Sequence, residues 1–160
     1  MAVHGTFISD WHEKLLNTES NPLLRTYKSI KTSFRLEPYL HLVRELPFRK
    51  AIAQIRASSH TLAIEKGRHT RPKTLVQDRL CHICNVIEDE THFIMNCSIN
   101  EKLRKDLFEN FSSVNCEFIR MSESEKIHYI FNNDDRKLLT WFGKFAYKAF
   151  QIRNEILFDR

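Results

Sequence analysis

The chain has 160 residues, 42% of them hydrophobic and 28% charged, which suits one small globular domain with a core of its own. Only three Gly and four Pro argue against a loop-rich β protein and favour a mainly α fold. The sequence contains neither a run of about 18 apolar residues nor a secretory signal, so we expect a nuclear or cytoplasmic protein without membrane association.

The formal net charge of +5 is unevenly distributed along the chain. Residues 22–80 hold thirteen Lys/Arg against four Asp/Glu, whereas residues 1–21 and 81–160 each carry a net charge of −2. Such an imbalance favours a polyanionic partner, and nucleic acid is the commonest. The alternative is that these side chains only solvate helix surfaces.

Helix signals begin near Asp10, which can cap a helix with Glu13 as its capping-box partner, and Asn21-Pro22 ends this element. Residues 23–36 mix basic and aromatic side chains, for which helix is a weak preference. A short helix is predicted after Pro38, over residues 39–43.

Pro47 suits the first turn of the next helix, which is predicted to run to about Ser58. From Thr61 to Arg79 the helical pattern fails, and the segment is predicted to be an extended basic loop with a turn at Gly67. The first region, residues 1–80, therefore reads as helices that end in a basic loop.

Helices are also predicted over residues 98–160, packing on the first region. Two capping boxes, Ser98 with Glu101 and Ser122 with Glu125, start two of them. Asp134 or Asn133 caps the last helix, in which apolar residues step by four and three: Leu138, Phe142, Phe145, Ala149, Ile152 and Ile156. This seam predicts core packing, and a docking surface for a partner is the alternative.

Between these regions, residues 81–97 contain the pattern Cys-x2-Cys-x7-His-x4-Cys, formed by Cys81, Cys84, His92 and Cys97. Thiolates and imidazole are the ligands that zinc prefers, and four of them close a tetrahedral structural site. The pattern predicts one bound Zn2+ in a CCHC knuckle whose backbone amides point at the sulfurs. The fourth cysteine, Cys116, is expected to be a buried free thiol.

Catalytic interpretations of the zinc motif are disfavoured. A catalytic zinc keeps one position open for water, and the deaminase pattern is absent. The run Glu88-Asp89-Glu90 is expected to cap a short helix, or to accept a hydrogen bond from the ring of His92. His82 is expected to point outward, and His60 and His69 to be surface or hydrogen-bonding residues. We expect no enzyme activity, because the chain shows no other catalytic motif.

The motif, with Glu88-Asp89-Glu90 just before His92 and Phe93 just after it, resembles the C-terminal zinc-binding region of non-LTR (LINE-type) retrotransposon reverse transcriptases. In that family one to three residues separate the first cysteines, seven or eight precede the histidine and four precede the last cysteine. Further matching residues are Arg56, Ser58, His60, Leu62, Ile64, Glu65, Gly67, Arg68 and Arg104. The resemblance covers roughly residues 34–110, and residues 143–153 loosely.

The resemblance implies a non-catalytic accessory region that holds RNA or DNA near a polymerase parent protein. The catalytic aspartates of the polymerase palm are not among these residues, so it also implies a fragment, a decayed element or a domesticated remnant. Phosphate contacts are expected from the basic segment, namely from Arg56, Lys66, Arg68, Arg71, Lys73 and Arg79. The alternative is a zinc-stabilised protein-interaction module that does not bind nucleic acid.

Overall fold

A computed structural model describes residues 7–11, 13, 25–31 and 33–158. The described chain is mainly helical, and its only β pairing is an isolated bridge. Residues 7–11 are helical, so Asp10 lies within this helix. The prediction that Asp10 caps the start of the helix is therefore wrong. The predicted helix end at Asn21-Pro22 lies outside the described residues. None of the described helices is long and apolar enough to cross a membrane.

The α-helices with defined bounds are α1 (Arg25–Ile30), α2 (Tyr39–Leu42), α3 (Leu46–Arg56), α4 (Ala63–Lys66), α5 (Glu101–Val114), α6 (Glu123–Asn132) and α7 (Arg136–Phe158). Single 3-10 turns cover Val76–Asp78, Ser98–Asn100 and Cys116–Arg120, and a π-helical turn covers His92–Asn96. Helix α7 is the centre of the fold, because α2, α3, α5 and α6 all contact it.

The apolar seam of α7 forms the core, as its period predicts. Leu138, Phe142, Phe145 and Ala149 are buried, and only the last members of the seam are partly exposed. A seam already covered by the chain's own helices leaves little apolar surface for a partner, which disfavours the docking alternative.

The segment from Thr61 to Arg79 is more ordered than an extended loop. It begins with α4, and the side chains of Thr70 and Thr74 bond to each other at 2.9 Å. Thr70 also donates to the Gly67 carbonyl at 2.9 Å, which closes the turn. The sequence did not predict α4 because four residues are too few to show a helical period.

The structure contains one of the predicted helix caps and differs from the prediction at two others. The Ser122–Glu125 capping box is present, with both reciprocal hydrogen bonds. Asp135, and neither Asp134 nor Asn133, caps α7 by accepting from two backbone N–H groups at 2.7 and 2.9 Å. Ser98 does not cap α5, because a 3-10 turn intervenes and the helix begins after Asn100.

Helices α3 and α7 cross at Gly143 on α7. A Cβ at Gly143 would lie 2.7 Å from the Cβ of Phe48 and 3.2 Å from the Cδ1 of Ile52. Real Cβ contacts are longer than this, so the absence of a side chain allows the helices to approach closely.

We therefore expect Gly143→Ala to lower the free energy of unfolding by about 1–3 kcal/mol, because overpacking outweighs the better helix propensity of Ala. Urea denaturation monitored by circular dichroism measures the change. Lys144→Ala is the matched control, because Lys144 is exposed on the same helix. Unchanged or raised stability of the Gly143 variant would show that the crossing has room for a methyl group.

Candidate metal centre

Residues 79–88 form a short hairpin, which we call the cysteine hairpin. Leu80 and Ile87 form its antiparallel bridge, and the Cys81 N–H donates to the Val86 carbonyl at 2.7 Å. The turn is tight because Asn85, whose N–H donates to the Cys81 carbonyl at 2.9 Å, has a φ of 54°. Asn adopts this left-handed conformation more readily than most residues. The hairpin thus turns the Cys-x2-Cys pair back on itself.

The other two cluster residues are brought together by the π-helical turn. Asp89 starts this segment by accepting a hydrogen bond from the His92 N–H at 2.8 Å, as the helix-capping expectation required. The Cys97 N–H then donates to the His92 carbonyl at 2.7 Å, a span of five residues. In an α-helix, side chains five residues apart point about 140° away from each other. The wider π turn brings His92 and Cys97 to the same side.

The four side chains of the motif meet in one cluster. The ligand atoms of Cys81, Cys84, His92 and Cys97 all lie within 4.8 Å of one another, and all three cysteines are free thiols. The sulfurs of Cys81 and Cys97 are 3.9 Å apart. A tetrahedral zinc with Zn–S bonds of about 2.3 Å places its sulfurs about 3.8 Å apart, so the cluster can hold a metal ion of this kind.

The histidine of the cluster is prepared to be a ligand. Its Nε2 is buried and has no hydrogen-bond partner among the described residues. Burial lowers the pKa of His92 and so favours the neutral imidazole, which is the form that binds metal. An orphaned buried nitrogen is costly unless something accepts its lone pair, and a metal ion does so.

Without a cation in the cluster, the negative charge of one thiolate disfavours the ionisation of its neighbours. Burial, together with the nearby Cys81 and Cys84, raises the pKa of Cys97 to about 12. Burial also acts to raise the pKa of Cys84, but hydrogen bonds from Ser98 outweigh it and the pKa is lowered. Three adjacent thiolates therefore require a compensating positive charge, which a divalent metal supplies.

Polar groups beyond the cluster hold its sulfurs and backbone in place. Cys84 Sγ lies 3.3 Å from the Ser98 hydroxyl and 3.5 Å from the Ser98 N–H. Arg104 on α5 donates to the Cys97 carbonyl at 2.8 Å. The backbone N–H that points at the sulfur of Cys84 thus belongs to Ser98, after Cys97. The expected donor was an N–H of the knuckle itself.

Glu88 connects the cysteine hairpin to α7. It is buried and forms a bidentate ion pair with Arg153, with nitrogen–oxygen distances of 2.6 and 2.7 Å. Phe93 stacks on Phe150 of α7 with ring centroids 4.7 Å apart. The cluster is therefore attached to the core both by a buried ion pair and by aromatic packing.

Glu90 connects the same segment to the first helical region. It accepts hydrogen bonds from Ser58 at 3.0 Å and from His60 at 2.9 Å, and it pairs with Arg25. Burial alone would raise the pKa of Glu90, but the bond from His60 and the charge of Arg25 outweigh it and lower the pKa to about 2. Because the pKa of Glu90 is lower in the folded protein, its carboxylate stabilises the fold fully at pH values above the ordinary pKa of a glutamate. This contribution is lost as the pH falls through about 2.

The acidic run thus has structural partners. Asp89 caps the π turn, while Glu88 and Glu90 pair with cations of other segments. Within the described chain no carboxylate of the run accepts a hydrogen bond from the ring of His92, so that part of the expectation is wrong. The physical reason is that the carboxylates of Glu88 and Glu90 already bond to arginines and to a buried histidine.

Sequence reasoning missed Arg153, the partner of Glu88. It lies within the apolar register of α7, four residues after Ala149, and it is buried. The available signal was a cation inside an otherwise apolar seam. Such a position predicts a buried Arg, and a buried Arg is nearly always paired with a carboxylate. The position of the acidic partner depended on the tertiary fold.

Among the predicted phosphate-binding residues, Arg56 is buried. It donates to the Phe131 carbonyl at 2.7 Å, pairs with Glu37, and lies 5.7 Å from the ring centroid of Tyr39. Its contacts hold α3 against neighbouring segments. We therefore exclude Arg56 from the phosphate-contacting set, because its charge is already used inside the protein.

Arg68 and Arg79 are half-buried and also have internal partners. Arg68 pairs with the buried Glu65 at 2.8 Å. Arg79 donates to the carbonyls of Thr74 and Ile64 at 2.8 to 3.0 Å, and so holds the loop in shape. These two arginines organise the basic segment, which leaves the exposed cations of the segment to face solvent.

Lys66, Arg71 and Lys73 are exposed. They lie on the C-terminal end of α4 and in the loop that leads to the cysteine hairpin. We call these three residues the exposed basic set. The structure therefore separates the six predicted cations into three that are available to a phosphate and three that maintain the fold.

The other histidines and the fourth cysteine differ in their exposure. His82 is exposed, as expected, and His69 is exposed as well. His60 is buried and hydrogen-bonded to Glu90. Cys116 is exposed, so the prediction of a buried thiol is wrong. It begins a surface 3-10 turn, from which Phe118 enters the core instead.

Comparison with known proteins adds no relative. No family model matches the chain, no curated protein matches it, and no solved structure matches it.

Proposed function

We propose that the chain is a non-catalytic zinc-binding module, similar to the accessory region of non-LTR retrotransposon reverse transcriptases, that contacts RNA or DNA through its basic segment. The observation that carries this proposal is the convergence of Cys81, Cys84, His92 and Cys97, with the Nε2 of His92 buried and unpartnered. A set of three sulfur donors and one imidazole favours zinc over magnesium or calcium, which prefer oxygen.

The proposed zinc has a structural role. Three thiolates and one imidazole fill all four positions of a tetrahedral site, and a catalytic zinc needs one position for water. Glu88 and Glu90 are paired with arginines and Asp89 caps the π turn, so these carboxylates are poor candidates for a general base. The metal would fix the cysteine hairpin against the π turn and thereby position the adjacent basic loop.

Nucleic-acid binding is supported by charge and exposure. Residues 22–80 have an excess of nine positive charges, and the exposed basic set lies at the end of this region next to the hairpin. Exposed cations on a fixed loop suit phosphate contacts, which give affinity without sequence preference. The resemblance of residues 34–110 to the retrotransposon region favours the same partner.

A triple substitution of the exposed basic set tests this proposal. We expect Lys66→Ala/Arg71→Ala/Lys73→Ala to weaken binding to single-stranded RNA about a hundredfold at about 0.1 M salt. The slope of the logarithm of affinity against the logarithm of salt concentration falls by about 0.7 for each lost phosphate contact, so three contacts correspond to about two powers of ten at this salt concentration. Fluorescence anisotropy titrations of the zinc-loaded protein at several salt concentrations measure both quantities.

The matched control removes three lysines that are exposed elsewhere on the protein, Lys102, Lys105 and Lys137. It has the same net charge as the test variant, so it separates a local contact from a general charge effect. Equal loss of affinity in both variants, or no salt-dependent binding by the unmodified protein, would contradict a nucleic-acid contact at this loop.

A further inference from the structure

Apolar side chains are concentrated on the surface at and before the tip of the cysteine hairpin. Ile83, Val86 and Ile87 are 43%, 47% and 40% exposed, and Leu75 and Val76 just before the hairpin are 60% and 52% exposed. Thirteen large hydrophobic residues are exposed in the described chain, and these five fall within residues 75–87. Clustered apolar exposure of this kind marks interaction sites more often than isolated exposed residues do.

The position of the tip follows from the geometry of the hairpin. Cys81 and Cys84 face the ligand cluster, so Ile83 between them and Val86 after the turn are left on the outside. The backbone bonds of the hairpin and the cluster set this conformation. Neither requires an apolar side chain at Ile83 or Val86, so the fold does not account for their chemistry.

The charge around the tip restricts the kind of partner. Residues 66–87 hold five Lys/Arg and one acidic residue, Asp78. A zinc ion bound by three thiolates adds a single negative charge, so the segment stays positive. Apolar side chains beside a positive loop suit a ligand that presents both apolar faces and phosphates.

We infer that the tip, through Ile83 and Val86, contacts unpaired bases of a single-stranded nucleic acid while the exposed basic set holds its phosphates. This inference rests on the proposed function and makes it specific. In a duplex the base faces are stacked on each other, and aliphatic side chains have no donor or acceptor with which to read base edges in a groove. Unpaired bases offer their faces to apolar side chains.

The test compares single-stranded and duplex ligands of one sequence. Fluorescein-labelled RNA and DNA strands of about 20 nucleotides, and the corresponding duplexes, are titrated with zinc-loaded protein at about 0.1 and 0.3 M salt. We expect single strands to bind at least tenfold more tightly than duplexes. We expect Ile83→Ser/Val86→Ser to weaken single-strand binding about tenfold without changing the salt slope or the duplex affinity.

The control is Val114→Ser/Ile119→Ser, which changes two exposed aliphatic residues far along the chain, 50% and 68% exposed. Zinc content and circular dichroism verify that each variant is folded. Equal affinity for single strands and duplexes, with no effect of the tip variant, overturns the inference and leaves the proposed function standing.

Two other outcomes also contradict the inference. If neither ligand binds, the proposed nucleic-acid contact fails together with it. If size-exclusion chromatography with light scattering shows a dimer that the tip variant abolishes, while its affinity for single strands is unchanged, the tip is a surface for self-association.

Discussion

Cys97→Ser is expected to abolish stoichiometric zinc binding and to lower the free energy of unfolding by more than about 5 kcal/mol, or to leave the chain unfolded. Structural zinc in small modules contributes an apparent free energy of about 10–16 kcal/mol at pH 7, whereas a whole domain is stable by about 5–15 kcal/mol. Cys97 is buried in the cluster, and its loss leaves two thiols and an orphaned imidazole. Thermal unfolding by circular dichroism and metal analysis of the purified variant give the two readouts.

Cys116→Ser is the matched control for this variant. Cys116 is exposed and lies outside the cluster, so its loss is expected to change neither zinc content nor stability. Chelation of the unmodified protein is expected to reproduce the effect of Cys97→Ser. Hydrogen exchange should rise first in the cysteine hairpin, because Phe93 and Ile94 after it are buried in the main core. A chelated protein with unchanged melting and exchange would contradict a structural metal.

Arg153→Met is expected to lower the free energy of unfolding by about 3–5 kcal/mol, because the buried carboxylate of Glu88 loses its charged partner. Among the residues that the structure describes, only the Ala63 N–H, which donates to Glu88 at 2.6 Å, still bonds to it. The ion pair is bidentate and both side chains are almost fully buried. It joins the cysteine hairpin to α7, so its loss is also expected to weaken zinc retention under competition with a chelator. Urea denaturation and zinc competition measure the two effects.

A double-mutant cycle with Glu88→Gln makes this prediction sharper. Because each single variant leaves a buried charge without an opposite charge, the double variant is expected to lose less stability than the sum of the two. Arg120→Met is the matched control, since Arg120 pairs with Glu117 at the surface, with side chains 78% and 61% exposed. Surface pairs contribute at most about 1 kcal/mol. Additive losses in the cycle would show that Glu88 and Arg153 do not stabilise each other.

The helical class and the α7 seam could be predicted because they depend on local composition and period. Leu138, Phe142 and Phe145 recur at helical spacing over many turns, and no tertiary information is needed to see which face is apolar. The four cluster residues could be chosen for a similar reason, since their type and spacing alone define a ligand set. Their convergence at 4.8 Å or less agrees with that choice.

The partners of the charged residues could not be predicted in the same way. No local pattern identifies Glu37 as the partner of Arg56 or Glu88 as the partner of Arg153, because only the packed helices bring these side chains together. The π turn was also hidden, because the four residues between His92 and Cys97 fit an α-helix equally well. Cys116 was misplaced because the core residue of its turn is Phe118, two positions later.

X-ray absorption spectroscopy at the zinc edge, together with metal analysis of the purified protein, determines whether Cys81, Cys84, His92 and Cys97 bind a zinc ion. We expect one zinc per chain with three sulfur neighbours at about 2.3 Å and one nitrogen neighbour at about 2.0–2.1 Å. Protein that retains no zinc, or a zinc surrounded mainly by oxygen, would contradict this expectation.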